Sequence, residues 1–161
     1  MLIMRLLHIL AAIWFVGGLL GRGMAFAQAG RAGDVHTASA LLRFSERFER
    51  LMVIPGSQAV LVFGLLTAWL QGQPLLGFLQ GAGVNWLLVS LALFLSGVPM
   101  VIFLLIPRSR QRAAALDVAV AQGSFTPDLR AALRDRVVIG SRAAELAIVF
   151  AVLVLMVLKP F

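Results

Sequence analysis

Apolar and polar positions fall along this chain in long blocks, and four apolar blocks predict membrane-crossing helices at about residues 2–26, 51–70, 84–106 and 137–158. The first, Leu2 to Phe26, has twenty-five positions. At about 1.5 Å of rise per residue it outreaches a hydrocarbon core of about 30 Å. Three of its residues, Arg5, His8 and Arg22, are out of place in lipid, because each needs water, a headgroup or a partner. The arginines can snorkel from the two ends, whereas His8 lies one to two turns in. At about 100° per residue, His8, Ala12, Phe15 and Arg22 share one side. Gly17 and Gly21, a GxxxG pair, fall roughly opposite. One face is expected to carry polar contacts and the other to admit a close helix neighbour.

After a break at Gly30 to Gly33, residues 35–50 place Leu41, Phe44, Phe48 and Leu51 on one helical face. Arg43, Glu46, Arg47, Glu49 and Arg50 occupy the remainder. The i, i+4 pair of Glu46 and Arg50 adds a few tenths of a kcal/mol to such a helix. This amphipathic segment lies on the membrane surface or extends the next span. Pro55-Gly56 predicts a kink near the start of the second span. A chargeless, glycine-rich loop from Gln71 to Gly83 separates Trp69 from Trp86, so two indoles flank one interface. Pro99, preceded by Ser96-Gly97, predicts a kink in the third span, and Pro107 its end. Arg108 to Gln122 reads as a short polar helix stopped by Gly123. Thr126-Pro127-Asp128 then supplies an N-cap, a first-turn proline and an acid for the helix dipole. One helix is predicted from 127 to about 158, roughly 48 Å long.

Composition sharpens this reading. With 61% hydrophobic and 13% charged side chains, and a mean hydropathy of +0.97, the chain is an integral membrane protein rather than a soluble domain. Arg5, the apolar run and Ala25-Phe26-Ala27 mimic a secretory signal, but the apolar part is too long for one. A net charge of +7 would suggest nucleic acid in a soluble protein. Here the basic residues sit between the spans, so no nucleic-acid binding is expected. Arg31, Arg43, Arg47 and Arg50 occupy the first connection, and the third holds Arg108, Arg110, Arg112, Arg130, Arg134 and Arg136. The second holds none. By the positive-inside rule both termini face outward from a bacterial cytoplasmic (inner) membrane, and the amphipathic helical segments are cytoplasmic. The absence of cysteine excludes disulfides and thiolate metal sites.

Glu145 lies within the fourth span, where an unpaired acid costs about 2.5 to 3.5 kcal/mol on insertion scales. Arg22 ends the first span at the same depth, so an intramembrane Arg22–Glu145 ion pair is expected, with a proton or ion site at Glu145 as the alternative. His8 falls in the outer half. Thr67, Asn85, Ser90 and Met156 are its polar or soft neighbours in depth. It is either a hydrogen-bonded bundle residue or a haem ligand, with Met156 as the candidate second ligand. The other histidine, His36, falls in a connection.

Leu7-His8-Ile9-Leu10, Trp14-Phe15-Val16-Gly17-Gly18, Arg47-Phe48-Glu49-Arg50, Ile54-Pro55-Gly56, Thr67 and the closing Met156-Val157-Leu158-Lys159-Pro160 run in an order that resembles the bacterial integral-membrane family called domain of unknown function 2269. That resemblance covers nearly the whole chain. It implies four spans and no established activity. The first helix is also similar to the start of HemJ-type protoporphyrinogen oxidases and of CopD-like copper-resistance proteins, whose Leu-His is followed by Trp and Gly. In the HemJ type that histidine ligates haem, which implies the same for His8. The functional third-helix lysine of those oxidases has no counterpart between Asn85 and Ile106. The chain is therefore expected to be an all-α, four-helix transmembrane bundle and a non-catalytic membrane component. It would contact the lipid bilayer and other membrane subunits or a second copy of itself. A b-haem redox protein using His8 and a small transporter or ion-coupled subunit using Glu145 are the alternatives.

Overall fold

The computed structural model describes residues 2–75, 77, 81 and 85–159. Among the described residues it contains seven α-helices and no strand. They are α1 (Leu2–Ala29), α2 (Val35–Phe48), α3 (Ile54–Leu70), α4 (Trp86–Met100), α5 (Ile106–Gln122), α6 (Pro127–Leu133) and α7 (Arg136–Leu158). Much of the predicted glycine-rich loop and Pro160 lie outside the described residues. Among the described residues, four helical stretches are long and apolar enough to cross a membrane: Leu2–Ala29, Val35–Leu70, Trp86–Gln122 and Pro127–Leu158.

Two of these stretches run on as helix past a proline for one physical reason. Proline lacks an N–H and its ring clashes with the carbonyl four residues back. At Pro107, where the apolar pattern predicts the end of the third span, the helix continues. Residues Val101–Leu105 form a wider π-type turn in which the Ile106 N–H reaches back to Val101 O. The same device precedes Pro55, where Glu49–Val53 widen and the Ile54 N–H bonds to Glu49 O. One extra residue in the turn moves the clashing carbonyl off the ring, so α2 runs into α3 and α4 into α5. The Leu51 carbonyl, whose α-helical partner would be the missing N–H of Pro55, instead accepts from the indole Nε1 of Trp14 at 3.2 Å.

The single helix expected from 127 to 158 is broken. Asp135 has extended backbone and accepts from the Val137 N–H at 2.8 Å, while Arg108 Nε donates to its other oxygen at 3.0 Å. The carboxylate thus offers the backbone N–H a better partner than the preceding turn does, and α7 starts afresh. The N-cap at Thr126, with its hydroxyl accepting from Leu129 N, and the left-handed Gly123 that ends α5 stand where the sequence puts them.

Within α2, Val35, Ala38, Ser39, Leu42 and Ser45 are buried, whereas Phe44 is exposed, as is Leu51 in the wide turn that follows. The small residues among the buried set let the helix backbones approach.

Glycines set how close α1 and α3 come. A Cβ on Gly56 would sit 3.0 Å from Phe15 Cα, one on Gly64 2.9 Å from the His8 ring, and one on Gly18 2.6 Å from Met52 Cβ. The bundle is therefore two close pairs, α1 against α2–α3 and α4 against α7. Phe15 meets Phe94 edge to face across the seam between them, at a centroid distance of 6.2 Å. At the arginine-rich end, Phe26, Val35, Leu42, Leu116, Leu129 and Val138 belong to a second, larger core built from the helix extensions.

Candidate functional site

Heptad spacing puts His8, Phe15 and Arg22 on one strip of α1, and each side chain meets the seam at a different level. At the arginine-rich end Arg22 is buried, its side chain only 5% exposed. One of its Nη atoms donates to Glu145 of α7 and the other to Glu49, in the π-type turn before α3. The two carboxylates differ in environment, Glu145 being 12% and Glu49 34% exposed. Arg22 and Glu145, singled out in the sequence, are brought together. The sequence pattern does not mark Glu49, because on a regular helix it falls among the solvated charges of residues 35–50. The wide turn redirects it inward. Ser45 Oγ donates to the Arg22 carbonyl at 3.1 Å and ties α2 to the same level.

Two further arginines converge nearby. Arg142, one turn before Glu145, holds its guanidinium 4.1 Å from the centroid of the Phe26 ring, and Arg112 of α5 lies 5.2 Å from it. Among the described residues neither has a carboxylate within ion-pair distance, and Arg142 Nη1 is buried without a hydrogen-bond partner.

His8 lies toward the other end, that of Leu2 and Lys159. Its Nδ1 is 3.1 Å from Val60 O, so the proton sits on Nδ1 and donates to that carbonyl, while the ring edge rests against Gly64. Nothing in the sequence pattern marks Val60 or Gly64, since a carbonyl acceptor has no residue signature. His8 and Met156 border a common cavity of about 50 Å³, with Ser90, Leu91 and Phe94 among its other walls. It adjoins a vestibule of about 280 Å³ that His8 and Met156 also border, with Arg5, Gln71, Trp86, Leu87 and Lys159 among its other walls. Asn85 is engaged elsewhere, capping α4 through Leu88 N and donating to Pro74 O, both at 2.8 Å. Ser90 returns its hydroxyl to Trp86 O. Among the described residues no three His, Asp or Glu side chains cluster as a metal site.

Four long apolar helices, with charge confined to one interhelical cluster and to the ends, define a polytopic membrane bundle. The chain belongs to the family of predicted integral membrane proteins known as DUF2269, whose model matches residues 2–160. No curated protein and no solved structure matches it.

Proposed function

We propose that this is a non-catalytic component of a bacterial cytoplasmic membrane, with both termini outside, acting through its helix faces as a subunit of a membrane complex or a homo-oligomer. One observation carries the reading: the ionisable side chains expected to do chemistry inside the spans are engaged in holding helices together. Arg22 binds carboxylates from two other segments, and His8 is committed to the Val60 carbonyl. A group held in this way must give up a fold contact before it can react. The sequence holds no nucleophile and base constellation and no phosphate loop. The orientation rests on ten arginines in the first and third connections against none in the second.

A second reading, a b-type haem protein, has one observation in its favour. A histidine that spends Nδ1–H on a carbonyl leaves Nε2 available as a metal ligand, and Met156 borders the same space. The space is a poor match for the group. His8 and Met156 border a cavity of about 50 Å³ and an adjoining vestibule of about 280 Å³, against roughly 300 Å³ and upward for cofactor sites. Ile9, Trp86 and Leu87 line the vestibule together with the cations Arg5 and Lys159 and the amides Gln71 and Gln73, a mixed wall rather than a mostly apolar slot. Glu145 as an ion-coupling site has no comparable support, since Arg22 already neutralises it. The oxidised and reduced absorption spectra of detergent-purified protein test the proposal. A featureless visible region agrees with it, and a Soret band rejects it in favour of haem.

A further inference from the structure

Between the two helix pairs at the arginine-rich end lies a cavity of about 400 Å³, and its charge is unbalanced. Five arginines line it, Arg22, Arg50, Arg110, Arg112 and Arg142, against two carboxylates, Glu46 and Glu49. Glu49 is already bound to Arg22, as is Glu145 just beyond the cavity. The other four guanidiniums have no ion-pair partner among the described residues. Two of them are not solvated surface charges. Arg112 is 7% exposed, and Arg142 carries a buried Nη1 with no acceptor. Both lean on the same Phe26 ring, which brings like charges together and supplies no oxygen to either.

Buried donors are nearly always satisfied, so an orphan among converging guanidiniums implies an acceptor from outside the chain. It should carry negative charge and several oxygens, since guanidinium forks bind phosphate with two parallel hydrogen bonds. A single carboxylate offers two oxygens and one charge, too few for this cluster. Ile54, Val101, Leu105 and Ile106 supply an apolar part of the lining. Across Glu49, Ile54 and Val101 the cavity borders another of about 200 Å³ whose lining is mostly apolar, Phe15, Phe94, Val98 and Ile102 among it, with the Arg22-bound Glu145 also on its wall. A phosphate group in the arginine cavity would thus have hydrocarbon-lined space leading from it along the seam. We propose that this cavity binds a phosphate-bearing anion, supplied either as a phospholipid headgroup or as free phosphate. The inference goes beyond the function proposed above and stands whether or not haem is bound.

The test uses full-length protein in uncharged detergent and follows thermal unfolding against two probes. One is inorganic phosphate, compared with chloride at equal ionic strength. The other is a short-chain phosphatidylglycerol, compared with phosphatidylcholine of the same chain length. Saturable stabilisation is expected from one of them. Phosphate alone sufficing identifies a free-anion site, and a requirement for phosphatidylglycerol identifies a headgroup site. Arg112→Gln and Arg142→Gln should each weaken that midpoint concentration roughly tenfold, the loss of one charge-assisted contact. Without ligand they should leave the unfolding temperature unchanged or raise it, because like-charge repulsion is relieved. Arg110→Gln, at the exposed rim, gives a smaller shift in the same direction and serves if a buried variant fails to fold. Arg134→Gln, outside the cavity, leaves the midpoint unchanged. No saturable response to either probe, or one that survives these substitutions, overturns the proposal.

Discussion

Replacing Arg22 by alanine strands two carboxylates at once, and the three members of this cluster should therefore lose stability in a fixed order. Arg22 sits at 5% side-chain exposure between Glu145 at 12% and Glu49 at 34%. Leaving a buried charge uncompensated costs about 3 to 5 kcal/mol, which sets the expectation for Arg22→Ala. Glu145→Ala leaves the arginine still bound to Glu49, so only one charge-assisted bond is lost, at about 1.5 to 3 kcal/mol. Glu49→Ala should cost about 1 kcal/mol or less, because that carboxylate is partly screened by solvent. The double variant Arg22→Ala with Glu145→Ala should be less destabilised than the sum of its singles, by about 0.5 to 3 kcal/mol. Thermal unfolding in detergent, followed by circular dichroism at the helical band, reads all four. Strict additivity, or an Arg22→Ala loss smaller than that of Glu145→Ala, would refute the three-way pairing.

Three other expectations follow from the packing and the charge pattern. Gly64→Val should displace the His8 imidazole, which a Cβ would meet at 2.9 Å, and lower stability by about 1 to 3 kcal/mol. Gly97→Ala, with nothing within 4 Å of its Cβ position, should show no loss in the same melt. Trp14→Phe removes the indole bond to the Leu51 carbonyl and should cost about 0.6 kcal/mol. That cost should vanish in a Pro55→Ala background, where the backbone supplies the N–H, and a cost that persists there rejects the assignment. For orientation, single cysteines at Gln73 and Gln122 in this cysteine-free chain should label from outside and from the cytoplasm respectively. The reverse pattern turns the proposed topology over.

What the sequence discloses here is whatever lipid makes costly. An arginine or a glutamate inside an apolar run must have a partner, so Arg22 and Glu145 stand out from the residue pattern alone, and long apolar runs mark spans by length. Details that depend on the neighbour's backbone leave no such mark. Gly56 and Gly64 pack against α1 through shape, and Val60 serves His8 through a carbonyl that every residue has. Proline presents an ambiguity of its own. Pro55 and Pro107 could end a helix, kink it or be absorbed by a wide turn, and at residues 49–53 and 101–105 the chain takes the last. That choice also turns Glu49 inward. At Asp135, by contrast, a readable cue is present, an acid before a valine run, but the strong start at Thr126 overshadows it.

In the function proposed here, the polar groups inside the spans fasten helices and do not carry a cofactor. The most direct measurement compares visible spectra, oxidised and reduced, and unfolding temperatures of purified wild-type protein and His8→Ala. No Soret band is expected in either sample, together with a stability loss of about 0.6 kcal/mol, the average for one interhelical hydrogen bond in a membrane. A Soret band in the wild type that disappears in His8→Ala while the protein still inserts would contradict this and make His8 a haem ligand.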